Sequence, residues 1–194
     1  MFLSPRVGAQ GVEDRPLRQE MSALTQALLL TGAPGTGKTT IIREAIHATK
    51  EKPGGFYTQE IREGGARLGF EIVTLDGSRA VLAHVDIRGP NRVGKYGVDI
   101  ACLERVAIPT MHRAIQECSI VVVDEIGKME LLSSSFRDSL MEVLNSRTRL
   151  LGTITLQPHP FADIIKRDPR VQVMLVSRSN RQLVLGEVTR WAQT

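Results

Sequence analysis

Aromatic side chains are scarce in this chain. One Trp, two Tyr and five Phe make up 4% of its 194 residues. So thin a supply argues against a stacking platform for single-stranded nucleic acid. No long Lys/Arg run is present, and the net charge of +4 suits an anionic partner without choosing between nucleotide and nucleic acid. Nucleic acid stays open as a partner, but no motif supports it. No apolar stretch reaches the roughly 20 residues of a membrane span, so no membrane partner is expected. The N-terminus lacks the apolar core of a secretion signal, and the expected location is the cytoplasm. The two cysteines, Cys102 and Cys118, lack metal spacing and are expected to be reduced and inert. His47, His84, His112 and His159 also lack metal spacing. The Asn-Lys-x-Asp string by which a regulatory GTPase reads guanine is missing.

What the chain does contain is an alternation. Residues 1–22 mix Pro, Gly and charge without a period and read as a flexible N-terminal extension. Residues 23–194 read as one domain of ordinary size. Four apolar runs, QALLLT, SIVVVDEIG, RLLGTIT and VQVMLV, fit buried parallel strands. Helical patterns separate them: Thr39–His47, Ile100–Ala107 capped by Asp99, Pro109–Glu117, Leu131–Asn145, Phe161–Arg167 and Asn180–Trp191. In the fourth of these, Leu132, Phe136, Leu140, Val143 and Leu144 are expected to face inward. Strands alternating with helices imply an α/β fold, a parallel sheet with helices on both faces. Residues 55–85 differ. Three β-rich runs punctuated by Gly64-Gly65 and Asp76-Gly77 predict a small antiparallel β insertion.

The chemistry concentrates after the first strand. TGAPGTGKTT, residues 31–40, satisfies the P-loop or Walker A pattern with Gly32, Gly37, Lys38 and Thr39. The glycines let the backbone curl and approach phosphate oxygens. Amide N–H groups at a helix N-terminus favour anions. Gly32, Ala33, Pro34, Gly35, Thr36, Gly37, Lys38, Thr39 and Thr40 are therefore the expected phosphate-binding stretch. Lys38 supplies a charge at the β- and γ-phosphates, and the Thr39 hydroxyl is an expected ligand of Mg²⁺.

IVVVDE, residues 120–125, is the expected Walker B strand. Asp124 would hold Mg²⁺ through a water. Glu125 directly after it suits a general base that positions the attacking water. P-loop proteins with a carboxylate there place an extra strand between the two motif strands. RLLGTIT is the candidate, with Thr153 or Thr155 near its end as a polar contact. Cations beside the developing charge could come from Arg92, Lys95, Lys128, Arg178 or Arg181.

Together the motifs GAPGTGKTT, GGFYTQEIREGGARLGFEIVTLDG, RVGKYGVD and VVVDEIGKMEL resemble the cancer-related nucleoside-triphosphatase family of small thermostable P-loop NTPases. The resemblance runs from about Leu24 to Arg190. It implies a RecA-like P-loop NTPase domain with a small antiparallel insertion. It also implies slow, Mg-dependent hydrolysis of ATP, GTP, CTP and UTP to the diphosphate and phosphate, with broad base preference. The nucleotide-contacting stretches then map onto Gly32–Thr39 and onto Ile120–Gly127, the latter holding Val121, Val122, Val123, Asp124, Glu125, Ile126 and Gly127. The family's closing Asn-Arg is matched by Asn180 and Arg181. The rival expectation is a nucleoside, nucleotide or polynucleotide kinase using the same site, with Asp86 and Arg88 in plausible acceptor positions. A monomer is the expected working unit.

Overall fold

The computed structural model describes residues 25–194. The expected extension, and the expected start of the domain at Ala23, lie outside the described residues. The first half runs β1 (Ala27–Thr31), α1 (Lys38–Ala48), β2 (Pro53–Glu63), β3 (Ala66–Thr74), β4 (Arg79–His84), β5 (Arg92–Val93), β6 (Tyr96–Val98) and α2 (Ile100–Glu117). The second half runs β7 (Ile120–Ile126), a 3₁₀ turn at Glu130–Leu132, α3 (Ser134–Asn145), β8 (Arg149–Ile154), α4 (Pro160–Arg167), β9 (Val171–Leu175) and α5 (Arg181–Ala192).

The described residues form one nine-stranded sheet in the order β5-β6-β4-β3-β2-β7-β8-β1-β9. From β2 to β9 every pairing is parallel. β8 lies between β7 and β1, as the sequence predicts for RLLGTIT. Three of the four apolar runs, β1, β7 and β8, are buried on both faces, which is why they read as continuous rather than alternating. The fourth, VQVMLV, is corrected: β9 is the edge strand of the sheet and is only half buried, with Leu175 59% exposed. One face buries Leu28, Leu30, Val122 and Leu151 against Ile41, Ile42 and Ala45 of α1 and Val184, Val188 and Trp191 of α5. The opposite face buries Leu29, Val121, Val123 and Leu150 against Leu103, Ala107 and Met111 of α2, Phe136, Leu140 and Val143 of α3, and Ile165 of α4.

The antiparallel part is not set apart from this sheet. β2 pairs parallel with β7 on one side and antiparallel with β3 on the other, so it joins both regions. Antiparallel pairing also continues past residue 85, through β6 and β5 to Val98. The Gly64-Gly65 turn has both φ values positive, at 53° and 81°. This suits the tight hairpin expected there.

Two expected helix boundaries are corrected. Pro109 does not start a new helix; α2 runs unbroken through it, capped by Asp99, which accepts from the Cys102 N–H at 2.9 Å. Pro109 and Arg105 both sit on the exposed face. The Arg105 carbonyl that proline leaves without a donor therefore meets water. The buried stripe of Leu103, Ala107, Met111 and Ala114 continues across the proline and holds both halves in one register. The helix expected from Leu131 begins at Ser134 instead. Ser133 caps it by accepting from the Phe136 N–H at 3.0 Å. Leu132, expected inward, is 42% exposed in the preceding turn.

Proline inside an exposed helix face costs about 3 kcal/mol relative to alanine. Pro109→Ala is expected to raise unfolding stability by about that amount, read as a higher urea midpoint at unchanged m. A lower midpoint would show that the proline shapes α2 to fit the sheet.

Candidate active site

The P-loop connects β1 to α1 at the carboxyl end of the parallel strands. Gly32 has φ 145° and lies under the chain that follows β9; a Cβ there would meet the Val176 carbonyl oxygen at 2.4 Å. Gly37, with φ 91°, is the residue before α1, and no side chain caps the helix N-terminus. No acidic residue occupies the first turn either. The first amides of α1 thus remain available to an anion, in the arrangement expected of residues 32–40. Lys38 Nζ donates to the Gly32 and Ala33 carbonyls at 2.9 and 3.1 Å. Thr36 Oγ1 donates to the Ala33 carbonyl at 3.0 Å, which closes the loop on itself.

β7 delivers the carboxylates. Asp124 is 2% exposed and follows the buried valines of β7. Its Oδ1 accepts from Thr153 Oγ1 of β8 at 2.5 Å, while its Oδ2 has no hydrogen-bond partner. Burial raises its pKa, and the hydrogen bond from Thr153, the nearby Thr39 hydroxyl and the charge of Lys38 oppose that rise. The two loops therefore meet: Lys38 and Thr39 from β1–α1 act on Asp124 at the tip of β7. The same Lys38 charge reaches Glu125. Partial burial and the neighbouring Asp124 push the Glu125 carboxyl upward.

A divalent cation fits this donor set. A buried carboxylate oxygen without a partner is costly unless something binds it. Thr39 supplies a hydroxyl beside it. Among the described residues, no group of three or more His, Cys, Asp or Glu side chains forms a metal cage.

Within the second expected stretch, the contacts narrow. Val121, Val122, Val123 and Ile126 are fully buried and fill the two cores. Ile120 is buried likewise. A parallel strand covered on both faces offers little of its middle to a ligand, so of this stretch Asp124, Glu125 and Gly127 remain the candidates near the P-loop.

Sequence reasoning missed Glu130. It is 4% exposed in the 3₁₀ turn and accepts the Gly127 N–H at 3.1 Å. A Cβ on Gly127 would lie 3.0 Å from Glu125 Oε1 and 3.1 Å from Glu130 Oε2, so the two carboxyls converge on this glycine. Burial first, then the charge of Glu125, raise the Glu130 pKa to about 8. The signal was a lone acid between Met129 and Leu131. Glu125, Glu130, Lys128 and Thr155 share a cavity of about 220 Å³ with Thr58, Phe70 and Val93 of the antiparallel strands.

The outlying candidates separate. Arg181 lies against the P-loop, its Nε 2.8 Å from where a Gly37 Cβ would stand, and donates to Glu44 at 3.0 Å. Asn180 braces the turn before α5, accepting from the Ser177 N–H at 2.8 Å and donating to the Leu175 carbonyl at 2.8 Å. Lys128 is exposed at the cavity mouth. Arg178 is exposed in the loop after β9. Arg92 donates to the Lys95 carbonyl within the β5–β6 hairpin. His84 pairs with Asp86 at 3.3 Å. The cysteines are free; burial raises both thiols and keeps them protonated, in line with the expected inertness. No helix of the described residues is long and apolar enough to cross a membrane.

Glu130 yields a pH prediction. Its folded pKa lies above the ordinary 4.5, so the native state holds the proton more tightly than the unfolded chain. That contribution is complete below pH 4.5 and is lost as pH rises through about 8. Urea unfolding across this window should show wild type losing stability with pH, and Glu130→Gln following a flatter profile. Parallel profiles would mean that Glu130 does not hold its proton on folding.

Comparison with known proteins follows the same geometry. The family model described as NTPase matches residues 27–189. The chain is 42% identical over 161 residues to nucleoside-triphosphatase THEP1 of Thermotoga maritima, covering 83% of this chain and 92% of that one. It is 36% identical over 189 aligned positions to the human cancer-related nucleoside-triphosphatase, covering 88% and 98%. Among solved structures it is similar to the crystal structure of THEP1 from Aquifex aeolicus, with a TM-score of 0.79 at 31% identity, covering 87% and 99%. The solution structure of the human protein gives 0.75 at 37% identity, covering 87% and 98%.

Proposed function

The chain belongs to the NTPase family, and from that premise we propose that it is a nucleoside-triphosphate phosphohydrolase working at the junction of the P-loop and the β7 carboxylates. The substrates are nucleoside triphosphates and the acceptor is water; the products are the diphosphate and phosphate. The observation that carries this reading is the meeting of Lys38 and Thr39 with Asp124 and Glu125 across the interposed β8.

Each residue then has a task. The uncapped amides at Gly37–Thr39 bind phosphate oxygens in place of a capping side chain. Lys38 exchanges the Gly32 and Ala33 carbonyls for the β- and γ-phosphates, where charge grows as the anhydride breaks. Thr39 and Asp124 would hold Mg²⁺, Asp124 through a water, and the ion would supply neutralisation of the phosphate charge. Thr153 fixes the Asp124 rotamer by its hydrogen bond. Glu125 orients a water toward the γ-phosphorus and takes its proton, a role favoured by a carboxyl whose pKa is raised. Arg181, beside Gly37, adds positive charge at the loop. Nothing among these residues reads a base, since all address phosphate, so broad use of ATP, GTP, CTP and UTP is expected. The location proposed for this chemistry is the cytoplasm.

Phosphate release from the four triphosphates tests this. Lys38→Ala is expected to abolish release and weaken triphosphate binding. Glu125→Gln is expected to bind ATP normally while turnover falls about 10²-fold or more, the scale of a lost general base. Joint loss of binding and turnover in Glu125→Gln would place Glu125 in structure or metal binding instead.

A further inference from the structure

The cavity beside Glu125 is larger than hydrolysis requires. One attacking water needs roughly 15 Å³ of such space, and the cavity offers about 220 Å³. It is also built from two sources. Glu125, Glu130 and Thr155 come from the strand ends and turn around the phosphate site, while Thr58, Phe70 and Val93 come from β2, β3 and β5. The far wall is braced: Phe70 meets the Tyr96 ring edge-on at 5.3 Å, and the Arg67 guanidinium lies over both rings. Hydrolysis gives this wall no task.

We propose that the cavity is an acceptor subsite, in which a small uncharged polyol such as a nucleoside or sugar receives the γ-phosphoryl group in competition with water. The proposal rests on the P-loop reading above and adds a second activity to the same site. Two carboxyls and two hydroxyls face one space, a set that accepts from and donates to the hydroxyls of a pentose. Phe70 and Val93 offer an apolar wall to its less polar face. The same carboxyls exclude a nucleoside monophosphate, whose phosphate needs basic partners. Of the residues lining the cavity, Lys128 alone is basic, and it is exposed at the mouth. In the transfer, the acceptor hydroxyl oxygen bonds to the γ-phosphorus and the bond from that phosphorus to the β,γ-bridging oxygen breaks. The hydroxyl proton passes to the Glu125 carboxylate, and the nucleoside diphosphate leaves.

The test uses ATP labelled at the γ-phosphate, with Mg²⁺ and with adenosine, uridine, ribose or glycerol added separately. Labelled phosphate and labelled phospho-acceptor are then separated chromatographically. The expected result is a phospho-acceptor from at least one probe, growing with its concentration at the expense of free phosphate. Val93→Phe, which fills the cavity, should cut transfer about tenfold or more while release to water continues near the wild-type rate. Thr58→Val, nearly isosteric, should raise the acceptor KM and supplies the same reading if Val93→Phe fails to fold. Wild-type release of phosphate with no phospho-acceptor from any of the four probes would overturn the subsite and leave the hydrolase reading standing. Transfer unchanged in both variants would place the acceptor elsewhere and overturn it too. Absence of both release and transfer would instead remove the P-loop reading on which it depends.

Discussion

The structure turns on one buried carboxylate. Asp124 follows four buried apolar residues in β7 and keeps one oxygen without a hydrogen-bond partner. An aspartate in such a place is destabilising by itself, because burial penalises its charge. Its neighbours offset part of that cost. Thr153 donates to it from β8, so β8 must lie beside β7. Thr39 and Lys38 approach it from α1, so the P-loop must lie one strand further on. The remaining oxygen is left for a ligand. Strand order, helix placement and the position of the glycine loop all bear on this one group, bringing a hydroxyl and a positive charge to a buried carboxylate.

Around it, charge is graded. Lys38 and the uncapped end of α1 make the P-loop side favourable for phosphate. Asp124, Glu125 and Glu130 gather carboxyls on the opposite side, where Asp124 raises the pKa of Glu125 and both raise that of Glu130. A site of this kind holds an anion against one wall and proton acceptors against the other, the arrangement an in-line displacement at phosphorus requires. Groups that would relax in isolation are held in conflict here, a common cost of function.

Much of this was legible in the chain. Gly32, Lys38, Thr39, Asp124 and Glu125 could be picked out as candidates from local spacing, because a P-loop and a strand carrying a carboxylate pair are each contiguous segments, and the structure brings Lys38 and Thr39 to Asp124. The position of RLLGTIT between the motif strands followed from Glu125. Glu130 was not legible: its importance comes from a turn that folds it back onto the Gly127 amide, and a single acid between two apolar residues gives no periodic signal. The cavity wall was hidden for a similar reason. Thr58, Phe70 and Val93 are far apart in sequence and meet only through sheet pairing. Pro109 misled because local propensity predicts a break that the continuous buried stripe of α2 overrides. Val121, Val122 and Val123 stood inside a stretch expected to meet nucleotide, yet their side chains belong to the cores.

The most direct test of Asp124 as the organising group is phosphate release by Asp124→Asn beside wild type, each with Mg²⁺ and with a chelator, together with ATP binding. The account predicts that wild type loses release in chelator, and that Asp124→Asn keeps its fold and binds ATP but releases little phosphate even with Mg²⁺. Turnover by Asp124→Asn at the wild-type rate would contradict it, since the buried carboxylate would then be a structural residue and the chemistry would lie elsewhere.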